Sequence, residues 1–173
     1  AIAALLTVAC KEKPAAQKKP ETAINQKIAG LLKDAAAASD DNRKASLFGE
    51  ASELLIEKGD YRQAMQHLLR MEYDDVLQNL VAKTMLCKIY YELESDLLPY
   101  KIDSFKMYLS RASQKVISSL TREQNTNFVN LLFQLSTTVK GDAARARRLI
   151  ERIEAKQSIT DREWLLEKAA QLK

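Results

Sequence analysis

The sequence has few residues that break helices and few that build catalytic sites. Its 173 residues include only 4 glycines, 3 prolines, 2 cysteines and 1 histidine, and aromatic residues make up 6%. Four scattered glycines cannot form a phosphate-binding loop, and no serine-centred nucleophile turn or His-Glu-x-x-His motif is present. One histidine leaves little scope for acid–base catalysis, and no Cys or His pair has the spacing of a metal site. We therefore expect a protein that is not an enzyme and that needs no cofactor or metal.

The cysteines and the net charge argue against two further classes of protein, those stabilised by disulfides and those that bind nucleic acid. Cys10 and Cys87 form no plausible disulfide framework, and Cys87 falls inside an amphipathic segment, where we expect a partly buried small hydrophobic residue. The net charge is +4, and the four lysines and two glutamates between residues 11 and 21 account for half of it. A nucleic-acid-binding protein usually concentrates its charge on one face. We therefore do not expect nucleic acid as the main partner.

What the sequence does contain is the apolar periodicity of helices. Hydrophobic residues make up 46% of the chain and recur three and four residues apart, without any alternating β-branched run. Each stripe covers one helix face only, so the helices must be stabilised by packing against each other. We predict an all-α fold of about eight helices. The first five cover residues 21–38, 42–58, 61–70, 75–92 and 98–112. The sixth begins at a capping box opened by Thr121, the seventh after Asp142, and the eighth at a capping box opened by Thr160.

Two similar corners connect these helices. Gly59 is predicted to end one helix in the left-handed conformation, and Asp60 to cap the next helix by accepting a backbone N–H. Gly141 and Asp142 repeat the pair, and an alanine follows each aspartate at the same distance. The two copies are not separated by a whole number of repeats of about 34 residues, so we expect an irregular stack.

Residues 45–76 resemble a tetratricopeptide repeat (TPR). Phe48 stands at its large aromatic position and Ser52 at its small one, while Val76 replaces the usual final proline. Residues 79–112 resemble a degenerate second copy. The larger resemblance, to the carboxy-terminal half of a group of uncharacterised bacterial TPR proteins, is carried by residues 82–93, 102–109 and 159–168. It implies TPR-like antiparallel hairpins stacked as a short right-handed α-solenoid, and it brings no known activity.

The resemblance also implies a binding surface. In TPR-like stacks the first helix of each hairpin lines the concave side, which places Glu53, Lys83, Tyr90 and Tyr91 there. Phenol and charged groups suit a peptide-binding groove, because a phenol offers both apolar area and a hydrogen bond. The expected function is a non-enzymatic protein-interaction scaffold with a protein or peptide partner. Alternatively, Tyr90 or Tyr91 merely packs between repeats.

The densest basic group lies on the seventh predicted helix. Arg145, Arg148 and Arg152 share one helix face, and Glu151 and Glu154 lie nearby. One interpretation is a solvated face with ion pairs. The other is a patch for an anionic membrane surface or nucleic acid, which makes a cationic binding module the alternative function. A structural fragment of a longer repeat protein is a third possibility.

The amino-terminal residues resemble part of a bacterial lipoprotein signal. Residues 1–9 are apolar or small, and they are too few to cross a bilayer as a helix. Cys10 follows Val8 and Ala9, as at a lipidation site, although Thr7 stands where the signal prefers leucine. We expect a lipidated Cys10 to anchor the protein to the periplasmic side of the bacterial envelope. Loss of palmitate incorporation in Cys10→Ser tests this.

Composition divides the chain into three regions. Residues 1–9 are the hydrophobic part of the signal, residues 10–22 are a polar tether that cannot bury enough apolar surface to fold, and residues 23–173 are the helical domain. In the alternative, residues 1–9 end a helix of a longer protein, and the location is then cytoplasmic.

Overall fold

A computed structural model describes residues 19–70 and 75–173, and these residues form eight α-helices without any strand. Cys10, the signal residues and most of the predicted tether lie outside the described residues. Within them, no helix is both long enough and apolar enough to cross a bilayer. The helices are α1 (Lys19–Ala37), α2 (Asp41–Glu57), α3 (Tyr61–Arg70), α4 (Val76–Glu92), α5 (Leu98–Arg111), α6 (Ser119–Ser136), α7 (Ala143–Glu154) and α8 (Arg162–Ala170).

The helices alternate between two rows. Each helix contacts the next one along the chain, and α2, α4, α6 and α8 also contact one another in succession. In the described part of the chain, α3, α5 and α7 make no such contacts with each other. The hairpins α2–α3, α4–α5 and α6–α7 therefore repeat, with α1 against α2 at one end and α8 closing the other. This confirms the predicted all-α helical-repeat fold, while a TPR relationship and the right-handed sense stay predictions.

Two hydrophobic clusters fill the stack, and α4 belongs to both. The cluster at the α1 end includes Ile28, Leu55, Ala64, Leu68 and Ile89. The larger cluster at the α8 end includes Cys87, Phe105, Phe128, Leu132, Ile153 and Leu165. Cys87 is 2% exposed, and burial raises the pKa of its thiol to about 12. It packs as a small hydrophobic residue, as predicted, but it is fully rather than partly buried.

The first corner has the predicted geometry. Gly59 has a φ of +82°, and Asp60 accepts the N–H of Gln63 at 3.3 Å. Glu94 occupies the equivalent position between α4 and α5, and its φ is +48°. The backbone N–H groups of Glu94 and Ser95 donate to carbonyls of α4, just as those of Gly59 and Asp60 donate to carbonyls of α2. Both corners thus use the left-handed helix ending in which glycine is most common.

The second Gly-Asp pair repeats only half of the first. Asp142 accepts the N–H of Arg145 at 2.9 Å, as predicted for a cap. Gly141 does not end α6, because that helix stops at Ser136. Gly141 has a φ of +92° and donates its N–H at 2.9 Å to the carbonyl of Leu172, which ties this longer connection to the end of α8.

Three helix starts differ from the prediction by two residues. The capping box at Thr121 is wrong, because α6 begins two residues earlier and the hydroxyl of Ser118 accepts the N–H of Thr121 at 3.0 Å. The capping box at Thr160 is also wrong, because Asp161 stands directly before α8 and its side chain caps nothing. Helix α1 begins at Lys19, so the last four residues assigned to the tether are helical.

Candidate functional site

A groove crosses the row formed by α2, α4 and α6. It has a volume of about 480 Å³, and a second hollow of about 240 Å³ continues it along α2 and α4. The two spaces share Glu53, Leu77, Val81 and Met85, so they form one surface, which we call the inner groove. Its far end is bounded by Thr121 and Asn125 of α6, and by Thr160 and Asp161 before α8.

The inner groove has an apolar strip on α4. Leu77 and Val81 are 56% and 49% exposed, and the spacing of four residues places them on one helix face. Both residues line both parts of the groove. Two large apolar side chains that remain open to water inside a groove mark a surface that gains stability when it is covered.

The α2 side of the inner groove is acidic. Glu50, Glu53 and Glu57 follow one another at spacings of three and four residues, and all three line the groove. In the structure as described, none of these carboxylates forms an ion pair. Burial raises the pKa of Glu53, Lys88 opposes this, and the neighbouring carboxylates raise the pKa further. The groove therefore has a net negative charge beside its apolar strip, although Lys88 compensates part of it.

A fixed ion pair lies at the other edge of the inner groove. The Nζ of Lys88 is 3.0 Å from Oδ2 of Asp161, and the ammonium also lies 5.5 Å from the centroid of the Trp164 ring. Asp161 has a φ of +53°, a left-handed conformation that costs a residue other than glycine roughly 1–3 kcal/mol. Strain of this kind at the edge of a groove is typical of binding sites.

Of the four residues predicted to bind a partner, Glu53 lines the inner groove. The Nζ of Lys83 lies 4.9 Å from the ring centroid of Tyr108 in α5, and burial lowers the pKa of this lysine. Tyr90 is 6% exposed and packs towards α5, where Lys101 lies 5.1 Å from its ring centroid.

Tyr91, the fourth predicted residue, packs edge-on against the Trp164 ring of α8 at 5.5 Å. The structure therefore does not bring the four residues together. It places Leu77, Val81 and Lys88 of α4 in the groove instead. The spacing of four residues between the first two is visible in the sequence, but periodicity does not distinguish an apolar side chain in the core from one that stays open in a groove.

The predicted basic face is a pocket. Arg145, Arg148 and Arg152 line a space of about 280 Å³ between α6 and α7, together with Gln134, Thr137 and Thr138. The predicted ion pairs with Glu151 and Glu154 are not formed, because none of the three arginines is in an ion pair with any residue the structure describes. We call this space the arginine pocket.

No family model, curated protein or solved structure matches the chain. Among residues 19–70 and 75–173, no three His, Cys, Asp or Glu side chains are grouped as metal ligands. The inner groove and the arginine pocket are therefore the features from which a function is argued.

Proposed function

We propose that the protein is a non-enzymatic protein-interaction scaffold whose inner groove holds a basic amphipathic segment of a partner protein. The observation that supports this most directly is the exposed pair Leu77 and Val81 beside the unpaired carboxylates of α2. A segment with leucine-like side chains on one face and lysine or arginine on the adjacent face complements both features. An amphipathic helix in a groove is a common mode of peptide recognition.

The two features contribute differently to binding. Covering each half-exposed apolar side chain contributes about 1 kcal/mol, and this part is insensitive to salt. The carboxylates steer a cationic segment and select against acidic ones, and this part weakens as salt rises. A partner cation near Glu53 also favours its charged form, which opposes the burial that raises its pKa.

Fluorescence anisotropy with three labelled synthetic peptides tests the proposal. The first has a leucine face and a lysine face, the second has the same composition in a scrambled order, and the third replaces lysine with glutamate. We expect the first to bind most tightly, the third to bind least, and added salt to weaken binding of the first.

Paired variants locate the binding site. Leu77→Ser should weaken binding about tenfold, which corresponds to about 1.4 kcal/mol. Leu69→Ser is the matched control, because Leu69 lies on α3 outside the groove and is 53% exposed against 56% for Leu77. Glu53→Gln should reduce the salt dependence, whereas Glu123→Gln on α6 should not. Equal effects of the two leucine variants would refute a site in the inner groove.

We further propose that lipidation of Cys10 anchors this scaffold to the bacterial envelope. The proposal rests on the apolar residues before Cys10 and the polar residues after it. A scaffold anchored in this way presents its groove at the membrane surface. The effective concentration of any partner bound to the same membrane is raised there.

A further inference from the structure

The arginine pocket collects positive charge that the protein itself leaves uncompensated. Arg145, Arg148 and Arg152 stand at spacings of three and four residues on α7, so their side chains follow one helix face. They line a single space, and no carboxylate of the described residues pairs with any of them. A pocket lined by three cations without a paired carboxylate among the described residues attracts a negatively charged ligand.

Arg145 lies at the amino-terminal end of α7, where the carboxylate of Asp142 accepts its backbone N–H at 2.9 Å. Asp142 therefore already compensates the partial positive charge of this helix end. The attraction of the pocket for an anion comes from the three guanidinium groups and not from the helix end.

The arginines are not needed to cap α6. A nearby guanidinium could otherwise donate hydrogen bonds to the last carbonyls of this helix. The hydroxyl of Thr137 donates to the carbonyls of Phe133 and Gln134, and the hydroxyl of Thr138 donates to that of Gln134 at 2.7 Å. Among the three arginines, Arg152 alone has a side-chain hydrogen bond to a described residue, a 2.8 Å bond from its Nη1 to Oε1 of Gln134. Most of the guanidinium donors therefore remain for a ligand.

We propose that the arginine pocket binds a phosphate monoester group. Such a group carries a charge of about −1.5 to −2 and three terminal oxygens, and each guanidinium offers a planar fork that matches two oxygens. The volume of about 280 Å³ fits one phosphate head with the rest of the ligand projecting outwards. A single compact pocket contrasts with the extended basic track that nucleic acid requires. The group belongs either to a soluble phosphate ester or to a lipid headgroup.

Inorganic phosphate is the first probe, used with the full chain. Isothermal titration and thermal unfolding are compared in phosphate and in chloride at the same ionic strength and pH. We expect saturable binding of phosphate and a rise in the melting temperature that chloride does not give. Arg148→Gln should weaken phosphate binding at least tenfold. Arg147→Gln is the matched control, because Arg147 is exposed on the same helix and does not line the pocket.

Vesicles distinguish the two sources of phosphate. Cosedimentation is compared for vesicles containing phosphatidic acid, a monoester, and phosphatidylglycerol, a diester, at equal surface charge. Preference for phosphatidic acid that Arg148→Gln abolishes indicates a headgroup, and binding of inorganic phosphate without that preference indicates a soluble ester. Circular dichroism confirms that each variant folds. Equal stabilisation by chloride, or equal loss of binding in Arg147→Gln and Arg148→Gln, overturns the proposal. Neither result bears on the inner groove, which shares no residue with this pocket.

Discussion

At the residue scale, the corners at Gly59 and Glu94 show what left-handed backbone costs at the end of a helix. Gly59 and Glu94 both adopt left-handed backbone at the end of a helix. An added Cβ at Gly59 would meet no atom within 4 Å, so a larger residue there is opposed by the backbone alone. Left-handed backbone costs an L-residue with a side chain about 1–2 kcal/mol, and part of this is offset because glycine loses more entropy on folding. Glu94 bears this cost in the native sequence.

We expect Glu94→Gly to raise the free energy of unfolding by about 0.5–1 kcal/mol, and Gly59→Ala to lower it by a similar amount. Urea unfolding followed by circular dichroism measures both. Glu94→Gln is the control, because it removes the negative charge near the carboxy-terminal end of α4 and keeps the backbone cost. If Glu94→Gln stabilises as much as Glu94→Gly, the charge rather than the backbone is responsible.

At the scale of the helices, the sequence predicted what depends on local periodicity. Helix α3 has the predicted bounds, because a capping aspartate and an apolar stripe define it locally. The assignment of faces was less accurate on α4, which contacts α2, α3, α5 and α6. A helix with so many neighbours has several apolar faces, and local spacing does not show which of them lines the groove. Lys83 and Tyr90 were expected in the groove, but they lie towards α5. The pair Lys88 and Asp161 spans 73 residues of sequence, and no local spacing reveals such a contact.

A largely buried polar contact joins α4 to α8. The Nζ of Lys168 lies 2.8 Å from Oε1 of Glu92, and the Trp164 Nε1–H donates to the same oxygen at 3.1 Å. The side chains of Lys168 and Glu92 are only 12% and 14% exposed. Burial lowers the pKa of Lys168, but the hydrogen bond and charge of Glu92, supported by Glu167, raise it by more, so the net shift is upwards.

We expect Glu92→Gln to lower the free energy of unfolding by about 2 kcal/mol, because the poorly hydrated ammonium of Lys168 then keeps the exposed carboxylate of Glu167, at 3.4 Å, in place of a buried counter-charge. Since the pKa of Lys168 is raised in the fold, the stabilisation it provides is present at neutral pH and is lost as pH rises through its folded-state pKa. Denaturant unfolding at neutral and alkaline pH measures this. Adding Lys168→Met to Glu92→Gln should recover part of the loss, and strict additivity of the two changes would contradict a coupled pair.

At the scale of the whole molecule, the two hydrophobic clusters imply that stability is local. Each helix packs mainly on its neighbours in the stack, as in other repeat architectures, so stability is close to a sum of nearest-neighbour contacts. The clusters meet at α4, where Leu86 packs against both, as does Met65 of α3. A disturbance at one end should therefore reach α4 and fade beyond it.

Hydrogen exchange on two core variants tests this directly. Leu55 and Leu165 are 1% and 0% exposed and lie in different clusters, and Leu→Ala at a buried site costs about 3 kcal/mol. We expect Leu55→Ala to lose amide protection mainly in α1 to α3, and Leu165→Ala mainly in α6 to α8, while α4 loses protection in both. This distribution is expected because a helix can open when the hydrophobic cluster that holds it is weakened, while the rest of the stack stays folded. A uniform loss of protection across all eight helices in both variants would instead mean that the stack unfolds as one cooperative unit, with α4 transmitting the full effect from either end.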